Sequence, residues 1–179
     1  MTNDRQIACR RPNRLAGYDY RQAGAYFITI CTHRRYCILG SVIGGVFQPT
    51  VSGNLAAACW RALPSHYPNV ALDAFVIMPN HVHGILMLTD RATERTPLSE
   101  IIRGYKTWSA RSINRHRQQS GTPVWQRSYH DHIIRNETAL DDIRAYIAAN
   151  PLRWASDREN PAPTGSKPAA VSPMPEAAR

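Results

Sequence analysis

The stretch Phe75-Val76-Ile77-Met78-Pro79-Asn80-His81-Val82-His83-Gly84-Ile85-Leu86-Met87-Leu88 decides how the rest of the chain is read. Two apolar runs flank Pro79-Asn80, a dipeptide that favours a tight turn. The runs are rich in β-branched and aromatic residues. They read as antiparallel strands, Leu72 to Met78 and His81 to Leu88. Both faces of this hairpin are apolar, which predicts a mid-sheet position covered by helices or loops. Positions i and i+2 of a strand face the same way, so His81 and His83 stand side by side, with Cα atoms about 6–7 Å apart. Two imidazoles so placed can share a divalent cation. They can equally be core histidines with satisfied hydrogen bonds. A cation site needs further ligands, which this segment does not hold.

Working outward, Ala25 to Thr32 is aromatic and β-branched and reads as a strand, and Val46-Phe47 as a short second one. Gly53-Asn54 opens a helix from Leu55 to about Leu63, ended by Pro64. Thr96 can cap a long helix from about Pro97 to Arg117, with Leu98, Ile101, Ile102, Tyr105 and Ile113 as its buried stripe. A last strand covers about Trp125 to Ile134. The final helix runs from about Thr138 to Asn150 on the stripe Leu140, Ile143 and Ile147, with Pro151 as its stop. Helices inserted between antiparallel strands predict an α+β fold, an antiparallel sheet with helices packed on it, ferredoxin-like.

The chain has 179 residues, which suits one domain, expected over residues 15–154. Residues 1–14 read as a basic arm. Residues 155–179 hold five of the 13 prolines and little large apolar surface, so they read as a disordered tail. Lys and Arg number 22 against 13 Asp and Glu, a net charge of +9, so a polyanion such as nucleic acid is the expected partner. The long helix is basic on its outer surface, with Arg103, Lys106, Arg111 and Arg115 against Glu100. No apolar run approaches the ~18 residues of a membrane span. The N-terminus has no apolar core that would read as a secretory signal. Cys9, Cys31, Cys37 and Cys59 form no CxxC pair. They are expected as reduced thiols in the cytoplasm.

Other residues can carry chemistry. Tyr146 and Asn150 are one turn apart on the final helix and flank its apolar stripe. A tyrosine there can simply pack its ring, and an Asn before proline can simply cap the helix. His130-Asp131-His132 is a rival histidine pair in polar surroundings, and Tyr105 and Tyr129 are rival phenols.

Three blocks occur together in order: Val76-Ile77-Met78-Pro79-Asn80-His81-Val82-His83, then Val124 to Asn136, then Tyr146-Ile147-Ala148-Ala149-Asn150-Pro151. The first resembles the HUH motif of single-tyrosine transposases. The set resembles their REP-associated subgroup, over about residues 14–154. The resemblance implies an HUH endonuclease core with His81 and His83 as metal ligands, Tyr146 as nucleophile and Asn150 as third ligand. Related insertion-sequence enzymes often have Gln where Asn150 stands. It further implies Mg²⁺ or Mn²⁺, a REP-type hairpin in single-stranded DNA as substrate, a 5′-phosphotyrosine intermediate, and a monomer where dimeric relatives exchange helices. Imidazole alone would favour zinc, so oxygen ligands must complete the shell.

Candidate contacts to the DNA backbone are Arg14, Arg34, Arg35, Arg103, Lys106 and Arg111. Tyr36 and Trp108 are candidate platforms for bases. Two other readings stay open: a nucleic-acid-binding module without catalysis, and a zinc hydrolase that uses water.

Overall fold

The computed structural model describes residues 17–91, 95–157 and 160–161. The basic arm, with Arg14, and most of the Pro/Ala-rich tail lie outside the described residues.

The central sheet has four strands in the order β4-β5-β1-β6, all antiparallel: β1 is Gly24–Cys31, β4 Val70–Met78, β5 His81–Leu88 and β6 His130–Ile134. A separate hairpin pairs β2, Gly40–Ile43, with β3, Val46–Pro49. The expected β4–β5 hairpin forms around Pro79-Asn80, with Met78 opposite His81. Of this hairpin β5 lies mid-sheet; β4 is an edge strand, so its apolar outer face does not mark a central position.

Period-two alternation divides the sheet between two layers. Tyr26, Ile28 and Ile30 of β1 and Val82, Leu86 and Leu88 of β5 join one core cluster. Helix α1, Val51–Arg61, and helix α3, Leu98–Arg117, supply Ala56, Trp60, Ile101, Ile102 and Tyr105 to it. Ala25 of β1 and Ile85 of β5 face the other way, onto Leu140 and Ile147 of α4, Glu137–Arg153. The residues of β5 on that second face include His81 and His83.

Helix α1 starts earlier than the pattern implied. The Thr50 side chain accepts from the Gly53 amide and caps it. The helix continues, after Ala62, into the single turn α2, Leu63–His66, with Pro64 in its first turn. Helix α3 starts at Leu98 with Pro97, not Thr96, at the N-cap, and no side chain caps it. Trp125 is not in a strand. It forms an isolated bridge with Thr32, and only residues 130–134 pair with β1.

Gly84 shows how tightly the inner layer is built. A Cβ there would lie 2.9 Å from Trp60 Cε2 and 3.1 Å from Phe75 Cβ. Trp60 is fully buried, so it has little room to yield. Gly84→Ala is expected to destabilise by ~1–3 kcal/mol through overpacking. That corresponds to a fall in Tm of roughly 2–4 °C per kcal/mol for a chain of this size. Thermal melts of the two proteins check this, and an unchanged or raised Tm would contradict the packing.

Helix α4 departs most from expectation. Asn136 caps it, accepting from the Ala139 amide at 2.8 Å. It then runs through Pro151 to Arg153 and passes into a 3-10 turn, Trp154–Ser156. A proline removes one helical hydrogen bond and disfavours helix at the residue before it. Burial of Asn150 on one side and Trp154 on the other outweighs that preference. Asn150 is therefore an interior helical residue and not a cap. Beyond residue 154 the Asn160 side-chain amide donates to the Trp154 carbonyl at 3.0 Å.

Candidate active site

The two histidines are among the most enclosed polar residues of the molecule: His81 is 0% exposed and His83 4%. Their rings lie 4.4 Å apart, centroid to centroid, on the α4 face of β5. Helix α4 is laid over them by its apolar stripe and by a fixed ion pair. Arg144 donates from Nε and Nη2 to the two carboxylate oxygens of Asp73, at 2.9 and 2.7 Å. Asp73 sits where the β4–β5 register shifts between Leu72 and Phe75. Such an irregularity re-aims a side chain. Sequence reasoning had no signal for this pair, because its members are 71 positions apart.

Two turns of α4 bring Tyr146 and Asn150 to the same place. The Tyr146 hydroxyl is 3.4 Å from His83 Nε2, and its ring stands edge-on to Phe27 at 6.0 Å. With Tyr146 38% exposed, the hydroxyl lies between the buried imidazoles and solvent. A cleft of about 610 Å³ opens there, lined by Thr29, Arg35, His83, His130, Tyr146, Asn150, Arg153 and Asp157, among others.

The hydrogen bonds fix the tautomer of His81 and orient the ring of His83. The Asn80 side-chain amide donates to the Arg35 carbonyl at 3.2 Å, so its oxygen faces His81 Nδ1, 2.9 Å away. An amide oxygen only accepts, so Nδ1 carries the proton and Nε2 presents a lone pair. Among the described residues, that buried Nε2 has no hydrogen-bond partner, and neither has the Asn150 side-chain oxygen. His83 Nδ1 is 2.8 Å from the Thr29 hydroxyl, which leaves its Nε2 towards the cleft. Two imidazole nitrogens and one amide oxygen, with two of the three orphaned, suit a divalent cation. The Nδ1–H of His81, held by the Asn80 oxygen, is the usual support for a metal-binding histidine.

Burial holds His81 down to about 4, reinforced by the Arg35 charge and partly offset by the Asn150 amide. Burial, then the neighbouring His81, lowers His83 to about 3. Both rings are thus neutral at neutral pH, the form that ligates metal. In the unfolded chain both titrate near 6.5. The unfolded state then binds more protons throughout the interval from about 6.5 down to 3–4, so stability falls as pH falls through it. Metal-free protein is expected to lose several kcal/mol, in order of magnitude, between pH 7.5 and 4. Urea melts in chelator check this. Replacing both histidines by Gln should flatten the slope, and an unaltered slope would count against the assignment.

Not every expected residue converges on this cleft. Arg35 lines it, and Arg34 is exposed on the same turn. Both have left-handed backbone, φ 52° and 57°, a conformation that costs a non-glycine residue ~1–2 kcal/mol. Arg103 and Arg111 are exposed on α3, in the opposite layer, and Arg103 pairs with Glu100 at 3.0 Å. Lys106 departs from the expectation of a backbone contact. Its ammonium donates to the carbonyls of Gln126, Arg127 at 2.9 Å and Ser128 at 3.3 Å, so it ties this strap to α3. Tyr105 is fully buried, with its hydroxyl bonded to the Ala56 carbonyl, and burial pushes its phenol well up, which excludes it as the nucleophile. Tyr129 lies outside β6 and packs against the α1–α3 core. Trp108 stacks on Tyr67 at 5.8 Å and lies over His66, half-buried. Of the rival histidines, His130 lines the cleft and His132 faces Phe27 across the β1–β6 ladder. Sequence reasoning missed Thr29, Asn80, Arg153 and Asp157, which have no motif of their own.

Comparison with known proteins gives the family and the fold. Residues 45–150 match the family of IS200-like transposases. An uncharacterized protein of Haemophilus influenzae is 35% identical, over 83% of this chain and 92% of its own. A second protein of that organism, named as a REP-associated tyrosine transposase, is 27% identical over 75% of this chain and 74% of its own. A solved REP-associated tyrosine transposase bound to a REP hairpin superposes with a TM-score of 0.59 at 20% identity, over 78% of this chain and 73% of that one. The described residues include no helix long and apolar enough to cross a membrane. The chain belongs to the IS200-like transposase family, and its fold is that of the REP-associated tyrosine transposases.

Proposed function

We propose that this transposase is a divalent-metal-dependent endonuclease and strand transferase. It would cut single-stranded DNA beside REP-type hairpins through a 5′-phosphotyrosine on Tyr146. The observation that carries the reading is the meeting of a solvent-facing phenol, 3.4 Å from His83 Nε2, with the unpartnered Nε2 of His81 and Oδ1 of Asn150.

The residues divide the work. His81, His83 and Asn150 would hold the ion, and Mg²⁺ or Mn²⁺ is the proposed occupant because phosphate and water oxygens would complete the shell. The bound ion would supply Lewis acidity at the phosphate oxygens and charge to favour an ionised phenol. Asn80 and Thr29 orient the imidazoles. The sheet and α4 hold Tyr146 for in-line attack on phosphorus. Attack forms the Tyr146 Oη–P bond and breaks the P–O3′ bond; the phenol loses its proton and the 3′-oxygen gains one. The phosphotyrosine keeps the energy of the diester, so transfer to a new 3′-hydroxyl needs no nucleotide cofactor. A single-stranded or hairpin-foot substrate suits the cleft, since a phosphate inside a duplex does not fit between α4 and the sheet. The net charge of +9 supports the DNA partner.

The test is a denaturing gel. Labelled single-stranded DNA carrying a REP-type hairpin is incubated with protein and Mn²⁺ or Mg²⁺. A labelled band at protein mass that survives denaturation supports the reading. Binding without that band favours a binding module, and cleavage without it favours hydrolysis by water.

A further inference from the structure

We infer that Arg35 is the guanidinium that takes the negative charge building on the scissile phosphate, held for that task by the left-handed turn at Arg34-Arg35. The inference rests on the cleavage reading and adds a residue that touches the reacting group.

Backbone geometry is the first argument. Two successive arginines have φ of 52° and 57°. Asn or Gly would adopt this turn at less cost. Neighbours over-determine it. The Arg35 amide donates to the Thr32 carbonyl at 3.0 Å, and the Asn80 amide donates to the Arg35 carbonyl at 3.2 Å. The Thr32 hydroxyl reaches the Tyr36 carbonyl at 2.8 Å, and the His33 amide reaches the Val124 carbonyl at 2.7 Å. Strain held by so many contacts is characteristic of functional sites. One residue here does two things. Its carbonyl fixes the amide that sets the His81 tautomer, and its side chain enters the wall of the cleft beside His83, Tyr146 and Asn150.

Charge is the second argument. The guanidinium cannot lose its proton. It is half-buried in the cleft beside the neutral His83, and its charge is felt at His81. Burial raises Asp157, half-buried on the same wall, above the usual carboxylate range, and the Arg35 charge partly offsets that rise. A planar guanidinium in the wall of this cleft presents a fork that matches two oxygens of a phosphate.

Chemistry is the third. As the Tyr146 Oη–P bond forms and the P–O3′ bond breaks, negative charge grows on the non-bridging oxygens. A donor fixed in a cleft binds that charge more strongly than it binds the ground-state diester, so its effect falls on the rate and not on affinity.

The test measures single-turnover adduct formation and, separately, DNA binding, for wild type, Arg35→Ala and Arg35→Lys. Arg61→Ala, an exposed charge over the Phe75 ring in the opposite layer, is the control. Each runs on normal DNA and on DNA whose scissile phosphate is a neutral methylphosphonate. On normal DNA, Arg35→Ala is expected to slow adduct formation about 10²–10³-fold, with binding within about threefold. Arg35→Lys recovers part of the loss, and Arg61→Ala matches wild type. On the methylphosphonate, where less charge builds, the gap between wild type and Arg35→Ala shrinks to about threefold or less. An Arg35→Ala rate near wild type overturns the inference, as does an equal deficit on both substrates. If Arg35→Ala does not fold, the comparison is made with Arg35→Lys, and the same substrate dependence decides. Wild type that forms no adduct on normal DNA defeats the cleavage reading and this inference together. Wild-type reaction with an indifferent Arg35→Ala defeats this inference alone.

Discussion

Tyr146→Phe is expected to abolish the covalent protein–DNA species, a loss of at least about 10⁴-fold in single-turnover rate, as removal of a nucleophile does elsewhere. The substitution deletes one oxygen. The ring keeps its edge-on contact with Phe27 and its place over His83. Among the described residues the hydroxyl makes one hydrogen bond, to His83 Nε2, and it is long at 3.4 Å. Such a contact contributes little, so Tm should shift by no more than a degree or two. DNA affinity should also hold, because the basic side chains are untouched. A variant that still forms the adduct would move the nucleophile elsewhere. A variant that cuts without an adduct would replace phosphotyrosine chemistry by hydrolysis. Both results are read on the same denaturing gel.

Withdrawal of divalent ions carries the second large effect. Dialysis against chelator is expected to lower adduct formation about 10³-fold, since Lewis-acid stabilisation is worth several kcal/mol at ~1.4 kcal/mol per decade. Mn²⁺ or Mg²⁺ should restore it. His81→Ala should match the chelated protein and resist restoration, because it removes the nitrogen that lacks any other partner. Chelated wild type should still bind DNA in a gel shift. Adduct formation that ignores chelator would contradict the ligand assignment, and restoration by Zn²⁺ alone would contradict the choice of ion.

The His81-Val82-His83 spacing was legible because a strand has one simple rule, period two, and β5 obeys it over its whole length. Tyr146 and Asn150 were legible as a pair through the one-turn spacing of a helix. Their meeting with the histidines was not. It depends on Arg144 reaching Asp73 and on the irregular register beside that residue, contacts between positions far apart in sequence. The stop at Pro151 misled because a local rule about proline competed with the burial of Trp154 and lost. Lys106 misled in a similar way. Its charge suggested a phosphate, whereas three carbonyls of the neighbouring strap claim it. Arg35 carried no signal for its turn, because nothing in an Arg-Arg dipeptide announces a left-handed backbone.

The phenol, both imidazoles and the amide of Asn150 all come from one polypeptide, with Tyr146 folded back onto its own His83. Under the proposed function each molecule would carry a whole site, and the number of working centres would follow the number of chains, not how often two of them meet. At a few copies per cell such an arrangement stays competent at dilutions where a site divided between subunits would fall apart.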